Sequence, residues 1–332
     1  MSRALLLVAL LAAGAAARPP ASVPVPVPGG KGGVGFDDLG YAAGLDRVLV
    51  PAGRTGRLLL ADPRTRKLTA VAGFSAQARY RGGHGQSVTS ADYGAGLLFA
   101  TDRTARLVEV LSPKRLREAA AAPLGAEPDY VRYAGPTSEV WVTEPGRERI
   151  EVFSLSTGPA PALRPAGVIE VPGGPESLVV DAARGRAYTN LWDGGTRAID
   201  LRSRRVGARW DNGCSGSRGL ALDEGRGWVF VGCAEGRGVV LDAEHGGRVL
   251  GEAAAGAGVD IIAYDPGRRL LYLPGAESGT LTAAAVSRAG ALSKVGAMPT
   301  AAGAHCAAVD GRGGVWVCDP RGGRLLYLDR PF

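Results

Sequence analysis

Seven polar or charged residues recur at one place in seven repeats of this 332-residue sequence, and they are the side chains best suited to chemistry. Each lies five positions before the first turn of its repeat. The seven are Asp37, Ser87, Asp129, Glu176, Arg218, Asp260 and His305. The residues that follow, such as Leu178, Leu220 and Ile261, are apolar. Each repeat therefore passes from a polar position into a buried strand within a few residues.

Four carboxylates, one arginine and one histidine around a common axis allow two interpretations. They could coordinate a hard cation such as Ca²⁺ or Mg²⁺, or bind a polar ligand, because clustered carboxylates repel one another unless a cation or proton compensates them. Alternatively, they are hydrated residues at the start of each strand. If catalysis occurs there, His305 is the candidate general base or acid, Arg218 would stabilise an oxyanion, and Asp260 or Glu176 would hold a metal.

The other two histidines lie in glycine-rich segments. His84 precedes the second repeat and could reach the same ring, whereas His245 is expected in a solvated outer turn. The segment from Gly30 to Gly35 matches G-x-G-x-x-G but leads into strands rather than a helix, so a dinucleotide site is not expected. No cofactor is predicted beyond the divalent cation.

Strand landmarks recur in register with the ring residues. The first turns begin at Ala42, Asp92, Ala134, Asp181, Asp223, Asp265 and Asp310. Seven positions later the second strands carry Leu49, Phe99, Trp141, Tyr188, Phe230, Tyr272 and Val317. A strand-only repeat of about 40 to 50 residues is typical of β-propeller blades. The sequence therefore predicts an all-β fold, a seven-bladed β-propeller, as one domain over residues 18–332.

The seventh repeat ends at Phe332 after its third strand. The segment from Ser22 to Val27 is the expected donor of the missing outer strand, and its prolines favour an edge position. Closure of the ring by an N-terminal strand is therefore predicted. The segment from Lys114 to Ala122 has the composition of a helix but lies where an outer strand belongs, so its structure is left open.

Residues 1–17 resemble a signal peptide, since Arg3 precedes an apolar run that ends in an A-x-A pattern at Ala15 and Ala17. We therefore expect an exported protein, periplasmic or extracellular, without a membrane span and monomeric. The formal net charge is +7. The basic residues are spread over turns, which indicates a solvated face rather than a nucleic-acid interface.

The chain has four cysteines, an even number that suits an oxidising compartment. Cys306 and Cys318 flank the turn from Asp310 to Gly314 symmetrically, so they would face each other in a hairpin. Cys214 and Cys233 bracket an earlier hairpin. Local pairing, 214 with 233 and 306 with 318, is favoured among the three possible pairings.

The second strands carry a recurrent signature. Phe99-Ala-Thr-Asp102, Trp141-Val-Thr-Glu144 and Ala187-Tyr-Thr-Asn190 resemble the Tyr-Val-Thr-Asn motif of YVTN-repeat propellers, a family of exported, mostly bacterial seven-bladed proteins. The resemblance implies a binding or surface protein, although relatives with similar blades include lactonases and a streptogramin lyase.

Together these observations favour a non-catalytic scaffold that binds a polar small molecule or a protein through its channel mouth. The alternative is a metal-assisted lactonase or lyase that uses the same ring. A structural role in the cell envelope is a third interpretation. The recurrent aromatic residues are expected to pack between blades rather than to bind a ligand.

Overall fold

The computed structural model describes residues 22–332, which fold into seven four-stranded antiparallel sheets. The chain completes the sheets one after another, so each sheet is one blade of a seven-bladed β-propeller, as predicted. The predicted signal peptide, residues 1–17, lies outside the described residues. Over residues 22–332, no helix has the length and apolar character needed to span a membrane.

The strands follow the same order in every blade, from the channel outwards. The innermost strands are Gly40–Ala42, Val88–Gly94, Val131–Ala134, Glu176–Asp181, Ser217–Asp223, Ala263–Asp265 and Ala307–Val309. The second strands are Arg47–Pro51, Leu97–Asp102, Glu139–Glu144, Arg186–Asn190, Trp228–Cys233, Leu270–Gly275 and Val315–Asp319. The third strands are Arg57–Ala61, Leu107–Ser112, Arg149–Ser156, Thr196–Asp200, Arg237–Asp242, Thr280–Val286 and Arg324–Leu328.

The outer strands are Leu68–Ala72, Arg117–Pro123, Ala162–Glu170, Val206–Trp210, Arg248–Ala254, Leu292–Pro299 and, for the seventh blade, Val23–Pro26. Short 3₁₀ turns join some strands, at Ala43–Leu45, Gly135–Thr137, Pro145–Arg147 and Ala243–His245. The segment whose structure the sequence left open, Lys114 to Ala122, is mostly outer strand. The segment forms a strand because it pairs with the third strand of its blade, and this pairing outweighs the helical preference of its residues.

Aspartates end several inner strands because their side chains hold the following turn. Oδ1 of Asp181, Asp223 and Asp265 each accepts a hydrogen bond from the backbone N–H three residues later, at 3.0 to 3.1 Å. This local bond fixes the turn, which is why aspartate recurs at this position.

The second strands carry the largest buried side chains. Trp141, Tyr188, Tyr272 and Trp316 are fully buried between neighbouring sheets, and Trp228 is 7% exposed. The prediction that these aromatic residues are packing residues is confirmed.

The ring is closed by the N-terminal segment. Val23–Pro26 pairs antiparallel with Arg324–Leu328, so Val25 lies opposite Leu325. Val25 and Val27 are 7% and 5% exposed, whereas the prolines lie on the outer edge. The predicted closure is confirmed, and it protects the third strand of the last blade.

A disulfide joins Cys214, in the loop that enters blade five, to Cys233, at the end of the second strand of that blade, as predicted. The Cα atoms are 5.3 Å apart, and the two residues are 19 apart in sequence. A bond that closes a loop of this length restricts the unfolded chain.

Replacing both residues, as Cys214→Ser and Cys233→Ser, is expected to lower the free energy of unfolding by about 3 kcal/mol. Urea denaturation of the double variant and the wild type measures this difference. Wild-type protein unfolded with a phosphine reductant is the control and should lose a similar amount. A double variant within about 0.5 kcal/mol of the wild type would rule out a stabilising role.

The second predicted disulfide is wrong for this structure. Cys306 and Cys318 lie opposite each other, in the register the sequence indicated, but both are free, buried thiols. The backbone N–H of Cys306 donates to Sγ of Cys318 at 3.2 Å, and His305 Nδ1 lies 3.8 Å from the same sulfur. Two cysteines opposite each other in a hairpin have their sulfur atoms close together. Here Cys318 Sγ accepts hydrogen bonds and is not bonded to Cys306 Sγ.

Glu109 is a buried acid on the third strand of blade two, 4% exposed. Burial, together with Glu118 and Asp102, raises its pKa to about 7. Because this pKa exceeds the value of an unfolded chain, the folded state holds the proton more tightly. Its stabilising effect is complete below about pH 4.3 and is lost as the pH rises through 7.

The Glu109→Gln variant should therefore gain stability relative to wild type as the pH rises from 5 to 8, by on the order of 2 kcal/mol. Urea midpoints at both pH values measure this difference. Glu118→Gln, at an exposed neighbour on the adjacent strand, is the matched control and should show a much smaller pH-dependent change. Equal changes in both variants would contradict the assignment.

Candidate binding site at the channel mouth

Backbone hydrogen bonds between neighbouring inner strands show which ring residues are equivalent. The N–H of Gly219 donates to the Asp260 carbonyl at 3.1 Å, and the N–H of Ile261 donates to the His305 carbonyl at 2.9 Å. Arg218, Asp260 and His305 therefore occupy the same level of three adjacent blades. The register used for the seventh blade in the sequence is correct.

Blade two differs. The corresponding bond runs from the N–H of Asp38 to the carbonyl of Thr89, at 3.1 Å, so Thr89 rather than Ser87 occupies the equivalent position. Ser87 lies two residues earlier, at a positive φ of 62°, and is fully buried. Its Oγ has no hydrogen-bond partner within residues 22–332.

Two ring carboxylates have basic partners. Asp129 Oδ1 accepts a hydrogen bond from Arg103 Nη1 at 3.0 Å. Glu176 Oε2 accepts one from the Trp192 indole N–H at 2.8 Å, and its Oε1 lies 3.8 Å from Arg218 Nη1. Burial, followed by Asp37 and Glu176, raises the pKa of Asp129 well above its usual range. Burial and then Asp260 raise the pKa of Glu176.

The other side of the mouth holds two histidines and two carboxylates. His84 Nδ1 lies 2.9 Å from Asp37 Oδ2, although neither atom makes an aligned hydrogen bond to any described residue. The rings of His84 and His305 are 5.2 Å apart between centroids. His84, Asp260 and His305 bring one donor atom each within 4.8 Å of one another. His84 therefore does reach the ring.

Glycines allow the His84 loop to approach. Gly82 and Gly83 have φ values of +86° and +69°, which side chains rarely adopt. A Cβ at Gly35 would lie 2.5 Å from the Gly83 carbonyl oxygen, so only glycine lets the Asp37 segment pack against this loop. The glycine-rich segment that resembles a dinucleotide motif thus brings Asp37 and His84 together.

His305 is held by two backbone carbonyls. Its Nδ1 lies 2.8 Å from the Gly303 oxygen and its Nε2 lies 3.0 Å from the Phe36 oxygen. A neutral imidazole has only one N–H, so two carbonyl acceptors require the doubly protonated ring. Burial opposes this charge, but Cys318 and Asp260 more than offset it and raise the pKa of His305 well above its usual range.

The pKa values of three further groups, His84, Asp260 and Cys318, are shifted by their neighbours. Asp37 raises the pKa of His84 to about 9. Burial raises the pKa of Asp260, although both histidines oppose that rise. Burial disfavours the Cys318 thiolate, but the Cys306 contacts and His305 lower its pKa well below the usual value.

A buried ion pair lies next to the ring, between Asp38, which directly follows Asp37, and Arg132, which comes three residues after Asp129. Arg132 Nη1 and Nη2 donate to the two carboxylate oxygens of Asp38 at 2.6 and 3.0 Å, and Ser90 Oγ donates to Oδ2 at 2.5 Å. These side chains come from three different blades. The apolar residue expected after the ring position is therefore replaced by Asp38 in blade one and by Ser90 in blade two, whereas Asp129 of blade three is followed by buried Tyr130 and Val131.

Two openings lie at opposite ends of the channel. The mouth cavity, about 400 Å³, is lined by Tyr80, His84, Asp260, His305 and the loop at Pro320 and Arg321. A larger cavity of about 550 Å³ lies at the other end, between the turns that follow the inner strands. Its aspartates are used in turn formation, since Asp310 holds three backbone N–H groups and Trp316. The other end also keeps one buried carboxylate oxygen without a partner among residues 22–332, Asp265 Oδ2. The mouth is the better candidate because it brings histidines and carboxylates together around one cavity.

Sequence reasoning missed several of these residues. Arg103 and Arg132 were not candidates because they lie outside the ring position. Asp38 could have been found from the sequence, since it is a second acid at a position where no later repeat has a charged residue. Cys318 could also have been found, because the symmetric spacing that suggested a disulfide places it opposite Cys306 and so beside His305.

The structure offers two metal-donor groups in the channel. One is His84, Asp260 and His305, and the other is His305, Cys306 and Cys318. Among residues 22–332 no three carboxylates of the ring come equally close together. The donors are therefore nitrogen and sulfur as well as oxygen, which does not suit Ca²⁺ or Mg²⁺.

Comparisons with solved structures find the same architecture. One similar chain is from Kuenenia stuttgartiensis hydrazine synthase, with a TM-score of 0.71 and 14% identity over 90% of this chain and 96% of that one. A chain of the mitotic checkpoint complex gives a TM-score of 0.71 and 13% identity over 99% of both chains. The U3-55K structure gives 0.75 and 10% identity over 93% of this chain and 99% of that one.

No protein-family model matches the chain, and no curated protein matches it. At these identities the structural neighbours show the propeller fold alone. The resemblance to YVTN-repeat propellers remains a prediction.

Proposed function

We propose that this protein is an exported, non-catalytic binding protein of the YVTN-repeat type that takes a polar ligand at the channel mouth. The observation that carries this proposal is the carboxylate of Asp37. It is 3% exposed, and its Oδ2 has no aligned hydrogen bond from residues 22–332. His84 Nδ1 lies 2.9 Å away but is not aligned with this oxygen. A buried oxygen that lacks a well-aligned donor is only partly satisfied, so a ligand that supplies one would bind favourably.

The charges around the mouth support a polar ligand. Four carboxylates, those of Asp37, Asp129, Glu176 and Asp260, face four basic groups. The basic groups are Arg103, Arg218, His84 and His305. Acid and base are nearly balanced when the histidines are charged, so a ligand that carries both a donor and an acceptor can replace internal contacts at little electrostatic cost.

The environment of His305 argues against the enzyme alternative. Both ring nitrogens already face carbonyl oxygens, so His305 would have to give up one of these contacts before it could accept a proton from a substrate. Arg218 is more available, with 35% of its side chain exposed. An arginine alone can orient an anionic group, which is a binding role.

A screen in the presence of a chelator tests the proposal. Unfolding midpoints of residues 18–332 are measured with defined polar compounds: polyamines, amino acids, dicarboxylates and monosaccharides. At 100 times its dissociation constant a ligand should add about 2.7 kcal/mol of stability.

Asp37→Asn and Glu176→Gln should reduce that stabilisation, whereas Asp310→Asn, at the other end of the channel, should not. Stabilisation that survives both mouth substitutions, or none with any class, would contradict the proposal.

Export is tested separately. The full chain is expressed in a bacterial host, and the N-terminus of the recovered protein is sequenced. Cleavage ahead of Arg18 with recovery outside the cytoplasm is expected. An uncleaved chain in the cytoplasm would contradict export.

A metal-assisted hydrolase is the second candidate, favoured by the His84, Asp260 and His305 group. Its test is hydrolysis of a simple γ-lactone by protein loaded with Zn²⁺ or Mn²⁺, followed by base uptake at constant pH. Turnover abolished by Asp260→Asn would favour the enzyme over the binding protein.

A further inference from the structure

The donor atoms around His84 are arranged as in a transition-metal site with one side open. His84, Asp260 and His305 contribute two nitrogens and one oxygen, all within 4.8 Å of one another. They come from a loop, blade six and blade seven, so the group forms only when the propeller is closed. All three line the mouth cavity of about 400 Å³.

A second observation points to a bound cation. Asp37 Oδ2 lies 2.9 Å from His84 Nδ1, and it is buried without an aligned partner among the described residues. A carboxylate behind a histidine fixes the ring and increases its basicity when the other nitrogen binds a metal. This arrangement leaves Nε2 of His84 as the nitrogen available for an ion.

His305 has a similar support. The Gly303 carbonyl lies 2.8 Å from its Nδ1. A metal at Nε2 would therefore displace the Nε2 proton to solvent and replace the Phe36 carbonyl contact, while the Gly303 contact remains. Tetrahedral bonds of about 2.1 Å place ligand atoms about 3.4 Å apart, so the three donors must approach one another by up to about 1.4 Å. Side-chain rotation of the part-exposed His84 can supply most of that movement.

We propose that the channel mouth binds one zinc-class transition-metal ion through His84, Asp260 and His305, with the remaining coordination position open to the cavity. This inference rests on the proposed binding function and adds to it, because a bound ion would supply one further contact to a ligand that the carboxylates and Arg218 of the mouth also hold when no metal is present. Two imidazoles favour Zn²⁺, Ni²⁺ or Cu²⁺ over Ca²⁺ and Mg²⁺.

The thiol group is the competing site. His305 is also near Cys306 and Cys318, and a metal held there would lie among two fully buried sulfurs. A site of that kind would have no open position on the cavity side. The experiment must therefore separate nitrogen and oxygen ligands from sulfur ligands.

The test is equilibrium dialysis of the mature chain against Zn²⁺, with the bound metal measured by mass spectrometry and the affinity measured by competition with a chelator. We expect one Zn²⁺ per chain. His84→Ala and Asp260→Asn should weaken binding by about 100-fold or more, and Asp37→Asn by about tenfold. Each variant is first checked for an unchanged circular dichroism spectrum.

His245→Ala is the matched control, since His245 Nδ1 also lies 2.7 Å from an aspartate, Asp242, but on an exposed outer turn. It should bind Zn²⁺ as the wild type does. The variant with both Cys306→Ser and Cys318→Ser should also retain the metal. Co²⁺ in place of Zn²⁺ should give visible ligand-field bands without thiolate charge-transfer absorption.

Three results would overturn the inference: no bound Zn²⁺, binding that survives His84→Ala, or thiolate absorption that disappears in the cysteine variant. The ligand screen described above is run with chelator present. A ligand that binds there while Zn²⁺ does not would therefore reject the metal and keep the proposed function.

Discussion

Replacing Arg132 with methionine is expected to lower the free energy of unfolding by about 3 to 5 kcal/mol, because it leaves the Asp38 carboxylate buried and unpaired. Asp38 is 4% exposed, and both of its oxygens accept hydrogen bonds from the Arg132 guanidinium. Burial opposes the charge of Arg132, but Asp38 more than offsets it and raises the pKa of the guanidinium.

Urea denaturation measures this effect. Adding Asp38→Asn to the Arg132→Met variant should restore much of the lost stability, because the uncompensated charge is removed. The matched control is Arg209→Met, whose partner Asp193 is 69% exposed, and it should cost less than about 1 kcal/mol. A loss below 1 kcal/mol for Arg132→Met would show that the pair does not stabilise the channel.

Removing residues 22–28 is expected to have an effect of similar size. The deletion exposes the surface against which Val25 and Val27 are buried, and each buried valine contributes about 1.5 to 3 kcal/mol. It also leaves the strand Arg324–Leu328 as a free edge, which favours association between chains. Chains that begin at Ser22 and at Gly29 should therefore differ by about 3 to 6 kcal/mol in unfolding free energy.

Light scattering should also detect oligomers of the shorter chain. Two substitutions distinguish the loss of strand closure from the effect of shortening the chain. Val25→Asp should reproduce much of the loss, whereas Val23→Asp, at a position that is 43% exposed, should cost little. Equal stability of the two chain lengths would mean that the seventh blade is stable with three strands.

The fold could be predicted because each blade repeats the same local rules. Aspartate marks the turn after the inner strand, and an apolar or aromatic residue marks the buried second strand, so spacing alone counts the blades. The role of the N-terminal strand could be predicted because the seventh repeat lacks an outer strand. Lys114 to Ala122 was ambiguous because its composition favours a helix, and only the sheet of its blade determines its structure.

The ring residue could be predicted in every blade except the second, but the contacts within the ring could not. Residue spacing cannot show that a bulged strand moves Thr89 into the position assigned to Ser87. Nor does it show that His305 faces two carbonyls, or that Cys318 accepts hydrogen bonds instead of bonding to Cys306. These contacts depend on side-chain rotamers and on neighbours more than 200 residues away in the chain, such as Phe36 and His305.

The most direct test of the channel mouth as a metal-binding site is anomalous X-ray scattering at the zinc edge, from crystals of the mature chain grown with Zn²⁺. We expect one strong peak within coordination distance of His84, Asp260 and His305. A peak at Cys306 and Cys318, at the opposite opening, or nowhere in the channel would contradict this account.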